Sequence, residues 1–151
     1  DRLSLLLQKT VGWANVHVHE FAFGNTKYGA IEDEEEEEEF DVLDEQNYRL
    51  CDLAPKEGAT FLYSYDQKDA WRHDIVVEKI TPPEKSVTYP VCLDGARGCP
   101  PEDCGGPEGY QHFLEAILDE AHPDYQEMLD WVEGHCDPED FDLEYTNDML
   151  R

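Results

Sequence analysis

Apolar and polar positions follow two different periods along this chain, and the change between them falls near its middle. Leu3, Leu6, Leu7 and Val11 recur at helical spacing up to Gly12, so residues 3–11 read as a short amphipathic helix. From Asn15 to Phe23 the period drops to two, the repeat of a strand. His17, His19, Phe21 and Phe23 then share one face, with Val18, Glu20 and Ala22 on the other. Thr60 to Tyr65 alternates again, with Phe61, Tyr63 and Tyr65 together. Trp71 to Ile80 reads as the longest strand, placing Trp71, His73, Ile75 and Val77 on one side. Asp66 to Ala70 joins these two strands as a hairpin, and Pro82 and Pro83 end the sheet.

The second half changes period. Tyr110, Phe113, Leu114, Ile117 and Leu118 form an apolar stripe on a helix of about twelve residues. Pro123 suits the first turn of another helix, with Met128, Leu129 and Val132 inward. DPEDFD at 137–142 reads as a turn, and Tyr145 to Leu150 as a last helical turn. Between the halves, Tyr48 to Leu53 reads as a short strand or helical turn. Strands first and helices second predict an α+β fold, a single domain over 1–151 with helices packed on one face of an antiparallel sheet.

Composition sharpens this picture in three places. The chain has 151 residues, 40% of them hydrophobic, enough for one domain with its own core. Its net charge of −26, from 37 acidic and 11 basic residues, repels phosphate backbones and disfavours direct nucleic-acid binding. Residues 32–39, EDEEEEEE, concentrate that charge and predict an exposed, mobile loop. No apolar run approaches the ~18 residues of a membrane span, so no membrane association is expected. Five cysteines, an odd count in a chain that needs no disulfide framework, point to a reducing cytoplasm.

The chemistry gathers at two places. Cys92, Cys99 and Cys104 lie in the run CLDGARGCPPEDCGGPEGY, which is rich in glycine and proline. Their spacing lacks the close CxxC pairs of a zinc site, so a metal there needs a further ligand such as His73 or His112. Otherwise the loop reads as a rigid connector, with Gly105 and Gly106 supplying positive φ. Its helix N-terminus would favour an anion, but Glu102, Asp103 and Glu108 better suit a cation or a basic partner. The second place is the strand histidines. His17 and His19 project to one side, and with His73 on a neighbouring strand they could hold a divalent metal.

Taken together, the segments GWANVHVHEF at 12–21, FLYSYDQKDAWRHDIVVEKI at 61–80 and YPVCLDGARGCPPEDCGGPEGYQHFLEAI at 89–117, with HPDYQEMLDWV, DPEDFD and Asn147 after them, carry a resemblance. The chain resembles the plasmid pRi open-reading-frame-three-like family, whose members include transposon passenger proteins labelled TnpR-like. The resemblance implies an α+β domain of that type, with no established biochemical activity. The hairpin departs from the family's YDFGDxWxH pattern, with Gln67 and Lys68 in place of Phe-Gly. The resolvase label implies an arginine-rich site around a scissile phosphate, which so acidic a chain does not offer.

Two functions follow. The first is a non-enzymatic cytoplasmic interaction or regulatory domain linked to plasmid or transposon biology. It would meet a protein partner through Trp71, Glu102, Asp103, Gly105, Gly106 and Tyr110. The second is a metal-dependent hydrolase in which His17, His19 and His73 hold the ion and Asp66, Asp69 or Glu102 supplies a ligand or general base. A DNA-binding role ranks below both.

Overall fold

The computed structural model describes residues 2–31, 41–134 and 136–151. The acidic run expected to be a mobile loop lies outside the described residues. The chain divides into two compact units, Asp1–Leu5 with Val16–Thr88, and Leu6–Asn15 with Tyr89–Arg151. The fold is α+β, with strands in the first half and most of the helix in the second.

The first unit is built on a five-stranded sheet in the order β3-β2-β1-β4-β5. These strands are β1 (His19–Phe23), β2 (Thr26–Gly29), β3 (Val42–Asp44), β4 (Thr60–Tyr65) and β5 (Trp71–Val76). Three pairings are antiparallel, among them the β4–β5 hairpin that the alternation predicts, but the sheet is mixed rather than wholly antiparallel. The fourth, β2 with β3, is parallel. β3 follows β2 across residues 30–41, about the dozen residues that a parallel return needs. β2 has no clear alternation of its own. It is specified by the two-residue Gly24-Asn25 turn, where Gly24 takes φ +61°.

Two strands are shorter than the periodicity predicts. Residues 15–18 stay outside the ladder, because Asn15 adopts φ +58° and the Val16 and His17 amides donate to the Tyr65 hydroxyl, at 3.2 and 3.4 Å. β5 ends at Val76 because its partner β4 begins at Thr60; beyond it, the Ile80 amide turns to Glu57 Oε1 at 2.9 Å. The alternation itself holds, and Phe61, Tyr63 and Tyr65 are all buried. Phe21 packs on Tyr63 with centroids 5.0 Å apart, and Phe23 stacks on Phe61 at 4.5 Å. Each such ring removed from water contributes about 1.5–3 kcal/mol. The Tyr63 hydroxyl, inside this core, meets Ser4 Oγ at 2.8 Å. A short helix, α2 (Leu50–Leu53), lies where a strand or helical turn was expected.

The second unit contains α3 (Gly106–Ile117), α4 (Tyr125–Trp131) and α5 (Leu143–Leu150), together with the C-terminal part of α1 (Arg2–Val11). α3 starts one turn earlier than its apolar stripe suggests, because Pro107 sits in its first turn and has no N–H to leave unpaired. Phe113 and Ala116 are fully buried, and Phe113 meets Tyr110 and Trp131 at 6.0 and 5.8 Å. α5 is capped by Asp142, whose carboxylate accepts from the Tyr145 amide. The Asn147 side chain clamps Cys92 from both sides, accepting from its amide at 2.8 Å and donating to its carbonyl at 3.0 Å. Among the described residues, no helix is long and apolar enough to cross a membrane.

Candidate functional site

The three candidate histidines do not converge: His19 and His73 share a sheet face, while His17 lies outside the ladder. β1 and β5 flank β4, so their side chains stand two strand spacings apart, about 9–10 Å. The ring of Tyr63 lies between them, 6.0 Å from His19 and 5.6 Å from His73. Each histidine also has its own partner. His73 Nδ1 donates to the Tyr63 carbonyl at 3.1 Å, and burial lowers its pKa below 6.5 although that bond works the other way. His19 Nε2 meets the Glu45 carboxylate at 3.0 Å. Burial alone would raise the Glu45 pKa, but the hydrogen bond and charge of His19 work against it, and it lies below 4.5. His17, in the segment before β1, points Nε2 at Asp66 Oδ2 across 3.6 Å. The expected three-histidine metal site is therefore not assembled, because β4 separates strands that the periodicity left free to be neighbours.

The carboxylates proposed as bases are committed to backbone or burial. Asp66 is buried and accepts from the Lys68 amide at 2.9 Å, shaping the hairpin turn in which Asp66 and Ala70 both take positive φ. Asp69 is buried in the same turn. Glu102 Oε1 accepts from the Ala14 amide at 3.0 Å, while the Trp13 indole donates to the Pro100 carbonyl at 3.2 Å. The glycine-rich loop is thus tied to the segment that follows α1.

The cysteines of that loop each point a thiol at a nearby backbone carbonyl. Cys92, Cys99 and Cys104 donate to the carbonyls of Asp94, Pro100 and Gly106. Burial, with Glu102 and Cys104 nearby, pushes the Cys99 pKa up to about 12. Burial and Asp137 likewise raise that of Cys136. Tyr110 is raised by burial and by the neighbouring Cys136, Cys104 and Cys99. Metal ligation and nucleophilic attack both need thiolate, which burial suppresses at Cys99. The three cysteines are not gathered into a common ligand set.

What the second unit does present is a cleft of about 510 Å³ between α3 and α4. Phe113, Met128 and Trp131 supply apolar wall, and Asp103, His112 and Glu127 supply polar wall. Trp131 is 45% exposed although it contacts Phe113. Asp103, exposed at φ +58°, comes from the glycine-rich loop, so part of the predicted interaction surface does line a cavity. Gly105 and Gly106 take φ +89° and +69° and set the loop against α3. Tyr110, half-buried, stacks on Phe113. Trp71 lies at the start of β5, in the other unit.

Residues 1–145 match the sequence profile of the family described as Plasmid pRiA4b ORF-3-like protein. The chain belongs to that family. It is 37% identical over 148 residues to the uncharacterized protein y4hQ of Sinorhizobium fredii (strain NBRC 101917 / NGR234), covering 97% of this chain and 72% of that protein. Its fold is similar to the crystal structure of MM3350, a protein of unknown function from Methanosarcina mazei Go1. That likeness has a TM-score of 0.82 and 32% identity, covering 94% of this chain and 79% of the other. The family resemblance read from the PPEDCGG–GY segment is thereby established, and neither relative's description names an activity for the family.

Within this family member, the sequence reading passed over Trp131, His122 and Asp124. Trp131 follows the apolar stripe of α4 and looks like one more core residue. His122 and Asp124 flank Pro123, and their H-x-D spacing alone carries no signal without the fold of the turn that brings them to His112.

Proposed function

We propose that this protein is a non-enzymatic binding domain whose α3–α4 cleft takes a cationic amphipathic segment of a partner protein. The observation that carries the reading is Trp131, a large aromatic left 45% exposed above an apolar wall and flanked by acidic side chains. Exposed tryptophans of this kind are the usual anchors of protein–protein contacts, and an apolar groove accepts one face of a short helix. Asp103 and Glu127 on the rim, within a chain of charge −26, select basic residues at the segment's edges. A Cys99 thiol whose pKa is raised to about 12 and a Glu102 engaged by a backbone amide favour binding over catalysis. In this reading the protein works in the reducing cytoplasm, and the family's plasmid description suggests a partner encoded by a mobile element.

Selection of a displayed random-peptide library on the full chain tests the proposal. Enriched peptides should pair Lys or Arg with aliphatic or aromatic residues, and Trp131→Ala should weaken them by about 30-fold, the effect of losing a ~2 kcal/mol anchor. Glu127→Lys should weaken them in proportion to peptide charge. Peptides that bind both variants as well as the unmodified chain would place the partner surface elsewhere.

A further inference from the structure

At the edge of the cleft three ligating side chains meet, of which only His112 also lines it. His112 projects from α3, and His122 and Asp124 come from the turn leading into α4. Their ligand atoms lie within 4.8 Å of one another. We propose that His112, His122 and Asp124 bind one divalent transition-metal ion of the zinc class, with a fourth position open to water.

One donor pair already stands at the separation such an ion needs, and the third donor lies within 4.8 Å. Two donors, each ~2.0–2.1 Å from a tetrahedral zinc, stand about 3.3 Å apart. His112 Nε2 and Asp124 Oδ2 are 3.1 Å apart. The imidazoles of His112 and His122 lie 5.5 Å apart between centroids at 69°, with their ligand atoms inside the same 4.8 Å group. The turn is held in advance. The His122 amide donates to Asp119 O at 2.8 Å, the Tyr125 amide to His122 O at 3.0 Å, and the Asp124 amide to His122 Nδ1 at 3.1 Å. Ligation replaces the His112–Asp124 hydrogen bond: a neutral His112 moves its one proton from Nε2 to Nδ1 by exchange with solvent, and the freed Nε2 lone pair takes the ion. The His122 ring gives up the Asp124 amide at Nδ1 so that one of its nitrogens can ligate.

The donor set selects the metal. Two imidazoles and one carboxylate suit zinc and its first-row neighbours, whereas calcium and magnesium prefer oxygen throughout. The chain's 37 acidic residues raise the local concentration of cations without choosing among them. The consequence is mechanical: the ion pins α3 to the entry of α4, the two helices that wall the cleft. The site stands whether or not a peptide binds there, because nothing in its argument uses Trp131.

Cobalt(II) titration of the untagged full chain, in reductant and excess magnesium to saturate simple carboxylates, tests it. One saturable equivalent should appear with d–d absorption and without a thiolate charge-transfer band. His112→Gln and His122→Ala should each weaken it more than about 100-fold, the upper end of what losing an outer-shell partner costs. Both side chains lie on the surface or near it, and circular dichroism confirms that the variants fold. Cys99→Ser and His73→Gln should leave the equivalent unchanged. Three results overturn the proposal: no saturable equivalent, affinity within threefold of the unmodified chain in both histidine variants, or a thiolate band that disappears in Cys99→Ser.

Discussion

Gly109 offers a test in which two effects predict opposite signs. It lies inside α3, where replacing glycine by alanine ordinarily stabilises a protein by about 0.5–1 kcal/mol. Here an added Cβ would stand 1.9 Å from the Cys104 carbonyl oxygen and 2.8 Å from its carbon. Relief to 3.0 Å requires that carbonyl to retreat by 1.1 Å, the difference of 3.0 and 1.9. The obstruction is backbone, and its neighbours Asp103 and Gly105 already hold φ +58° and +89°, so the loop has little slack. A clash of this kind sits at the upper end of overpacking costs, about 3 kcal/mol. Subtracting the propensity gain leaves a net loss of about 2 kcal/mol, or roughly 4–8 °C in melting temperature for a chain of this length. Gly134→Ala is the control, since Gly134 has φ +80° but nothing within 4 Å, and isolates the left-handed backbone cost of about 1–2 kcal/mol. Thermal unfolding followed by far-ultraviolet circular dichroism measures both. A Gly109→Ala protein melting at or above the unmodified temperature would refute the argument that this glycine exists for clearance.

Two further outcomes follow from the protonation states. With its pKa pushed up to about 12 from 9.0, Cys99 carries about a thousandfold less thiolate at pH 8 than an ordinary thiol, so iodoacetamide should label exposed Cys51 long before it. Equal labelling rates by peptide mass spectrometry would contradict the burial of that thiol. His73 has a pKa lowered by burial, so the folded state disfavours its protonation. Its contribution to stability is complete above pH 6.5 and is lost as pH falls through the lower folded value. His73→Gln should therefore flatten the stability profile below pH 6.5, and an unchanged profile in chemical denaturation would count against this assignment.

The periodicities carried most of the fold because they report burial directly. β4 was readable to the residue, since every second side chain from Phe61 to Tyr65 enters the core. β2 was not, because Thr26 and Lys27 are exposed and the strand is specified by a turn and by pairing with β1. The histidine site failed for a related reason. Alternation places His19 and His73 on a common face, but strand order decides whether two strands touch, and no single strand's pattern encodes the β4 between them. His112, His122 and Asp124 were out of reach for another reason, since their meeting depends on how the turn after α3 folds back.

The loop from Cys92 to Tyr110 identifies the family most clearly, yet its residues are largely spent on geometry. The Pro100 carbonyl takes the Trp13 indole, Glu102 takes the Ala14 amide, Cys92 is clamped by Asn147, and Gly109 clears the Cys104 carbonyl. Groups committed to such contacts have little chemistry left to offer a ligand. The groups with chemistry to spare stand beside the loop: Trp131, Glu127 and His112 on the cleft, and His122 and Asp124 at its rim. A signature that builds a cleft is a separate matter from the side chains that use it. Substitutions inside the loop should therefore lower stability and binding together, whereas substitutions at Trp131 or His122 should weaken binding by more than their loss of stability explains.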